Sequence, residues 1–215
     1  MCTDVTTLLF GAGGHAKVVF DSIESSVGEP AQVTVVDDNP TLVGQDFFGT
    51  RVQRGDVCEQ FDAFRFHVAI GCNGVRRSVF ERLQACGGVP LTVVHPWAHV
   101  SQHARVGEGS FLAAGCIVAP MSRLAEGVIV NHAAVVDHDC IIGAFTHIAP
   151  NVTIGGNVRI GDNVLVGAGA VILPGVSIGD GCTIGAGAVV IADVMTDKTV
   201  VGVPGRILLN KENKP

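Results

Sequence analysis

The chain of 215 residues has no tyrosine, one tryptophan and only 14 lysines and arginines, and those form no basic cluster. A nucleic-acid surface needs concentrated positive charge, and single strands also need aromatic stacking platforms. The formal charge of −6 and the pI near 5.7 therefore argue against a nucleic-acid partner. No apolar stretch approaches the length of a membrane span. The opening VTTLLFGAGG is apolar but short, has no basic stretch before it or Ala-x-Ala site after it, and reads as a strand and a glycine turn. Metal-type cysteine spacing is missing too. Cys2, Cys58, Cys72, Cys86, Cys116, Cys140 and Cys182 contain no CxxC, and their odd number fits reduced thiols in a cytoplasmic protein.

What the chain does have is an apolar content of 47%, 28 glycines and a mean hydropathy of +0.44. From Val94 onward a Val, Leu or Ile recurs at every sixth position, through Val100, Val106, Leu112 and Val118, past Val136, Ile142, Ile148 and Ile154, to Ile184 and Val190. Four residues after most of them comes a small or β-branched residue, such as Ser110, Cys116, Ser122, Ala134, Cys140, Thr146, Ala170, Cys182 or Ala188. A period of six suits neither the 3.6 of a helix nor the alternation of a strand, and it calls for short strands stacked with turns between them. Both columns are expected to face inward, with Cys116, Cys140 and Cys182 as core filler. Glycines directly after the aliphatic position (Gly107, Gly143, Gly155, Gly161, Gly167, Gly179, Gly185) are expected to free φ where the chain turns a corner.

Hexads such as IGDNVL, VGAGAV and IGDGCT resemble those of the hexapeptide-repeat acyltransferases. The resemblance implies a left-handed parallel β-helix with three hexads per triangular coil and three associated chains. Its handedness comes from the resemblance alone, because the general rule for parallel crossovers favours the right hand. No loop interrupts the hexads, so smooth, Ala/Gly/Val-rich prism sides are expected, and they would expose apolar strips unless chains associate.

Before Val94 the pattern changes. Leu8–Phe10 reads as a buried strand, followed by the turn Gly11-Ala12-Gly13-Gly14-His15 and a helix from about Ala16 to Ser25. Strand, glycine turn and helix N-terminus together can hold a phosphate. A second strand, Val33–Val36, ends at Asp37-Asp38, whose carboxylates could meet a ribose or base. A third, Phe66–Ile70, runs into Gly71-Cys72-Asn73-Gly74-Val75-Arg76, and a helix from about Val75 to Ala85 follows. Taken alone, the glycine turn with its downstream Asp would fit NAD, but the second half of a dinucleotide fold is missing. The expected organisation is a small parallel Rossmann-like α/β domain at 1–90, a left-handed β-helix at 91–196 and a tail at 197–215.

The chemically dense stretch runs from Asn131 to Gly143 and holds His132, Asp137, His138 and Asp139, with His147 half a coil later. In the hexad frame His138 stands outside the aliphatic column and faces solvent or a neighbouring chain. A histidine has a pKa suited to taking a proton at neutral pH, and a neighbouring carboxylate raises its basicity and fixes its tautomer. Asp139 is expected on Nδ1, leaving Nε2 for the substrate. His95, His99 and His103 are expected to be surface residues.

These segments resemble the PglD/NeuD-type sugar-nucleotide acetyltransferases, including the perosamine N-acetyltransferases, over nearly the whole chain. The resemblance implies that His138 is the general base and Asp139 its orienting acid. It implies that Gly13, Gly14, His15, Asp37, Asp38, Gly71, Asn73 and Arg76, or Arg77 in the alternative register set by the inserted Cys72, bind the nucleotide sugar. It also implies that His147, Gly156, Ala168, Ala186 and Arg206 lie along acetyl-CoA, with no metal required. The expected activity is transfer of acetyl from acetyl-CoA to the 4-amino group of a UDP- or GDP-linked 4-amino-4,6-dideoxyhexose, for bacterial surface glycans, by a homotrimer with shared sites. A sugar O-acetyltransferase is the nearest alternative. A γ-type carbonic anhydrase would need three histidines on zinc, and His132, His138 and His147 lack its tight His-x4-His pair. A non-catalytic sugar-nucleotide sensor is the remaining alternative.

Overall fold

The computed structural model describes residues 6–27, 33–61 and 63–208; Cys2 and residues 209–215 lie outside them. The first unit consists of β1 (Thr6–Phe10), α1 (Gly14–Val27), β2 (Val33–Asp37), a hairpin of β3 (Asp46–Phe47) and β4 (Thr50–Arg51), β5 (Gln53–Arg54), β6 (Phe64–Val68), α2 (Asn73–Ala85) and β7 (Val89–Pro90). Its main sheet has the order β5-β2-β1-β6-β7 with every neighbour parallel. Leu8, Leu9, Phe10, Val35, Val36 and Phe66 are buried in it, as expected of a sheet covered on both sides. Both helices begin two residues before the point the apolar pattern suggests. Their first turns are Gly-His and Asn-Gly, which carry no hydrophobic periodicity to read.

Seventeen two-residue strands follow, from β8 (Val93–Val94) to β24 (Val189–Val190). From β8 to β21 (Val171–Ile172) each pairs in parallel with the strand 18 residues on, for example His99 with Ile117 and Val100 with Val118, so three hexads complete one coil. The resulting prism matches the left-handed β-helix of hexapeptide repeats. From Leu112 to Val190 the aliphatic column is buried, and each side chain taken from water contributes roughly 1.5–3 kcal/mol. Val94 is 38% exposed because its coil is the first and no coil covers it. Cys116, Cys140 and Cys182 are buried in the small column, and burial pushes the Cys116 thiol up to about 12.

The corner glycines act differently from the sequence expectation. Positive φ recurs every sixth residue from Gly109 to Gly187, at the third position after the aliphatic residue, where Met121, Ala133, Asp139, Phe145, Asn151, Asn157 and Asn163 share it with glycines. The glycines directly after the aliphatic residue have ordinary φ. They are needed because coils stack closely: a Cβ on Gly167 would lie 2.6 Å from the Ala186 nitrogen, and one on Gly179 would lie 2.6 Å from that of Thr196.

The three prism faces differ. On the covered face the outward residues Val93, Phe111 and Ile129 are buried at 4%, 0% and 1%, because they join Leu9, Ala16, Val19 and Phe20 of the first unit in one core. The second face presents His99, Ile117, Val135, Thr153, Val171 and Val189. The third presents Arg105, Arg123, Ile141, Arg159 and Ser177, so only one open side has the expected apolar strip. Past β24, β25 (Thr199–Val201) extends the covered face and β26 (Arg206–Ile207) folds back antiparallel on it. Residues 199–207 thus close the prism end, where a tail was expected.

Candidate active site

His138 sits at the corner between the second and third faces. Its backbone N–H donates to Asp137 Oδ1 at 2.7 Å, and its Nδ1 lies 2.9 Å from Asp139 Oδ2. Asp139 occupies the left-handed corner position with φ +60, a conformation that Asp tolerates better than most residues, and from there its carboxylate reaches back to the ring. The Asp139 hydrogen bond, aided by the charge of Asp137, raises the imidazole above its ordinary pKa. With Nδ1–H donating to Asp139, Nε2 is the unprotonated nitrogen of the neutral ring, and it faces solvent. Gly156 lies one coil on, directly beneath the ring, where a Cβ would come within 2.6 Å of His138 Cε1 and Nε2. Only glycine lets the imidazole lie there.

The nucleotide-binding expectation falls on the first unit. Gly13 and Gly14 lead into α1 with nothing within 4 Å of a Cβ added at either, so the approach to the helix N-terminus is open. Asp37 holds the turn itself, accepting from Ala12 N at 2.8 Å and Asn39 N at 2.7 Å. Asp38 pairs with Arg82 at 2.9 Å. Asp37 and Asp38 also line a cavity of about 340 Å3 with Pro40, Val43, Arg54, Gly55 and Asp56. Sequence reasoning missed this far wall. The available signal was weak: Arg54 stands in register with Asp37, but on a strand of two residues.

Arg76 departs from the expectation. It is 1% exposed, and its guanidinium donates to the carbonyls of Ile70, Gly71, Gly127 and Phe145 and to Asn73 Oδ1, which engages all five N–H groups. Burial lowers it only to about 10, so it remains a cation at neutral pH. It fastens α2 to the prism and has no donor left for a phosphate. Asn73 is likewise engaged, donating to Val164 O at 3.0 Å while accepting from Arg76.

His147 lies on the covered face beneath the first unit. Its Nδ1 meets Gly71 O at 3.2 Å and its Nε2 meets the Asn131 amide at 3.3 Å, so the neutral ring donates to Gly71 and accepts from Asn131. Burial, then the charge of Arg76, lowers its pKa to about 4. His15 packs beside it with ring centroids 6.2 Å apart and edge-on to Phe111, and burial first, then His147, lowers it to about 3. His15 Nε2 is buried without a hydrogen-bond partner among the described residues. His95, expected at the surface, is buried and accepts from Trp97 N through Nδ1; His99 and His103 are exposed.

One chain does not bring all the expected residues together. His138, Asp139 and Gly156 share one corner. Ala168 and Ala186 are exposed on the corner between the covered and second faces, stacked above one another through Gly187 N to Ala168 O at 2.9 Å. The loop leading to Arg206 caps that same corner, where Val189 N donates to Gly202 O and Gly205 N to Val189 O. Arg206 is exposed and its side chain reaches only its neighbour, Gly205 O.

Residues 7–83 match the PglD N-terminal domain family, and residues 157–192 match the bacterial transferase hexapeptide family of six repeats. A curated UDP-N-acetylbacillosamine N-acetyltransferase of Bacillus subtilis is 31% identical over 108 residues, which span 49% of this chain and 50% of that protein. The perosamine N-acetyltransferase PerB of Caulobacter crescentus, solved with CoA and GDP-perosamine, is 34% identical, with 96% of this chain and 98% of that chain covered and a TM-score of 0.89. The chain belongs to the PglD-type nucleotide-sugar N-acetyltransferases. The acetyltransferase domain of PglB from Neisseria gonorrhoeae is a further member of similar shape, 36% identical over 95% of this chain and 100% of that one, with a TM-score of 0.88. It has also been solved with acetyl coenzyme A.

In a PglD-type chain one supporting residue escaped the sequence reading of the His138 and His147 pair. Asn131 supplies the donor that fixes the His147 tautomer, whereas Asp137, a flanking carboxylate already expected beside His138, carries a second charge to that ring. Asn131 lies inside the motif, yet nothing in its spacing says which ring it would meet.

Proposed function

We propose that this enzyme transfers acetyl from acetyl-CoA to the 4-amino group of a UDP- or GDP-linked 4-amino-4,6-dideoxyhexose, a precursor of bacterial surface glycan made in the cytoplasm. The observation that carries the reading is the His138 imidazole, pinned at Nδ1 by Asp139 and open at Nε2.

The chemistry follows from that arrangement. The neutral amine attacks the thioester carbonyl, and Nε2 takes the proton that the nitrogen must shed. The C–S bond then breaks, and the CoA thiolate leaves and receives that proton from the imidazolium. The backbone N–H of Gly156, directly under the ring, is the oxyanion donor in this scheme. Its neighbours Gly155 and Asn157 donate to Ile172 O and His138 O.

The separation of the site over two corners supports a homotrimer. In it the His138 corner of one chain meets the Ala168, Ala186 and Arg206 corner of the next, with the apolar face bearing Ile117, Val135, Val171 and Val189 turned toward the other chains. Nucleotide turn, His147 and CoA corner then come from one subunit, and the base from its neighbour. Asp37, Asp38 and the cavity beside them hold the base and ribose, while Gly13, Gly14, His15 and Gly71 face the diphosphate and sugar. Arg76 and Asn73 support that surface from behind.

The deciding experiment mixes the protein with acetyl-CoA and a panel of UDP-, GDP- and dTDP-linked 4-amino-4,6-dideoxysugars and follows each by mass spectrometry. A gain of one acetyl group on an amino sugar is expected, and acetylation of hydroxyl sugars alone would overturn the reading. His138→Ala should lower kcat by roughly 10²–10⁴-fold, the usual share of general base catalysis.

A further inference from the structure

On the third face Arg105 of β10 (Arg105–Val106) stands directly opposite Arg123 of β13 (Arg123–Leu124), both exposed. Adjacent strands lie about 4.8 Å apart, and like charges placed opposite one another repel. Neither guanidinium makes an ion pair or hydrogen bond among the described residues. Together with Gln102, His103, Ala104 and Met121 they line an open cleft of about 370 Å3. His103 and Met121 belong to the same corner as Asp139: Met121 N donates to His103 O, and Asp139 N donates to Pro120 O one coil later. The cleft therefore continues the His138 corner toward the first coils, the level at which the α/β unit packs on the prism.

The glycine turn of that α/β unit is short of cations. Arg76 has every donor engaged, Arg82 is paired with Asp38, and Arg54 lies 3.4 Å from Asp56. Lys17, one turn into α1, is the remaining positive side chain in the motif. A diphosphate there meets open N–H groups with little formal charge against it. The arginine pair shows the converse, formal charge without a partner. One to two coils along the corner is about 5–10 Å, the span of a hexose ring and a phosphate.

We propose that Arg105 and Arg123 bind the diphosphate of the nucleotide sugar whose amino group is presented to His138, completing from one subunit the nucleotide site of its neighbour. The proposal rests on the shared-site transfer reading above. CoA also carries a diphosphate, so the test separates the two sources.

Calorimetric titration with GDP, UDP and CoA, each added alone, compares the wild-type protein with the Arg105→Ala/Arg123→Ala and Arg105→Lys/Arg123→Lys double variants. The alanine pair should weaken nucleoside diphosphate binding at least tenfold and flatten its salt dependence. The lysine pair should recover part of the loss, and CoA binding should stay within twofold. Unchanged GDP and UDP affinity in the alanine pair would overturn the proposal, and so would a loss confined to CoA. Because nucleotide binding is read without turnover, failure of acetyl transfer on every amino sugar would sink the proposed reaction and leave this comparison to be decided on its own result.

Discussion

His138 and Asp139 are neighbours in sequence, and their partnership is short enough for the sequence to carry it. The hydrogen bond at 2.9 Å raises the imidazole pKa, and only the deprotonated ring can accept the amine proton. The acidic limb of the kcat/KM profile should therefore lie above the ordinary histidine value of about 6.5. Asp139→Asn should shift that limb to lower pH and reduce the rate, as a pH–rate comparison would show. Gly156 acts on the same ring from 18 residues away. Its Cβ-free face is what admits the imidazole, so Gly156→Ala should displace His138 and lower kcat at least tenfold, with little change in unfolding midpoint because its φ is ordinary. No local motif gives that role away, since the contact exists only once coils stack. Arg76 misleads in the opposite direction: its place after a strand and glycine suggests a phosphate ligand, yet burial and carbonyl acceptors on three separate segments make it a fastening.

At the scale of elements, the six-residue period made the prism legible before any coordinate, because each rung repeats the same burial. The corner chemistry was harder to read. Two glycine columns run in parallel, one answering to backbone crowding and the other to positive φ, and the second is disguised wherever Asn, Asp, Ala, Phe or Met replaces glycine. The faces were also read as alike, because outward residues need satisfy no packing rule and Arg105, Arg123 and Arg159 leave the inward period untouched. The join between α2 and the prism rests on Arg76. Arg76→Ala should destabilise the chain by at least about 3 kcal/mol in urea unfolding, because it strands several buried carbonyls at once. Lys at that position should restore little, having three donors in place of five.

For the molecule as a whole, the two units share their interior, and the shared region is rich in neutral histidine. His67 is buried, its Nδ1 meeting Leu91 O at 2.9 Å, and burial lowers it to about 4. His15 and His147 are lowered to about 3 and about 4. His15 and His67 both set their rings edge-on to Phe111. In the unfolded chain all three take up protons near pH 6.5, whereas the native chain resists until pH 3 to 4. The unfolded state thus binds more protons across that interval. Stability should be full above about pH 6.5 and fall progressively as pH drops toward 4, at about 1.4 kcal/mol per pH unit for each histidine still neutral in the fold. Urea midpoints measured from pH 7.5 down to 4.5 would show it, with a flat profile contradicting the assignment.

The 18-residue coil also makes the prism an addressing system. A residue's number modulo 18 fixes which face or corner it occupies, as the His99, Ile117 and Val135 register shows. Inserting one hexad after Gly156 would rotate every later side chain by a third of a turn and carry Ala168, Ala186 and the Arg206 loop to a different corner. Inserting a whole coil would keep each on its corner and move it about 4.8 Å farther from His138. Length changes in this architecture are therefore quantised: only whole coils can stretch the distance between the proton-accepting base and the far end of the carrier while leaving the azimuth of every site residue intact.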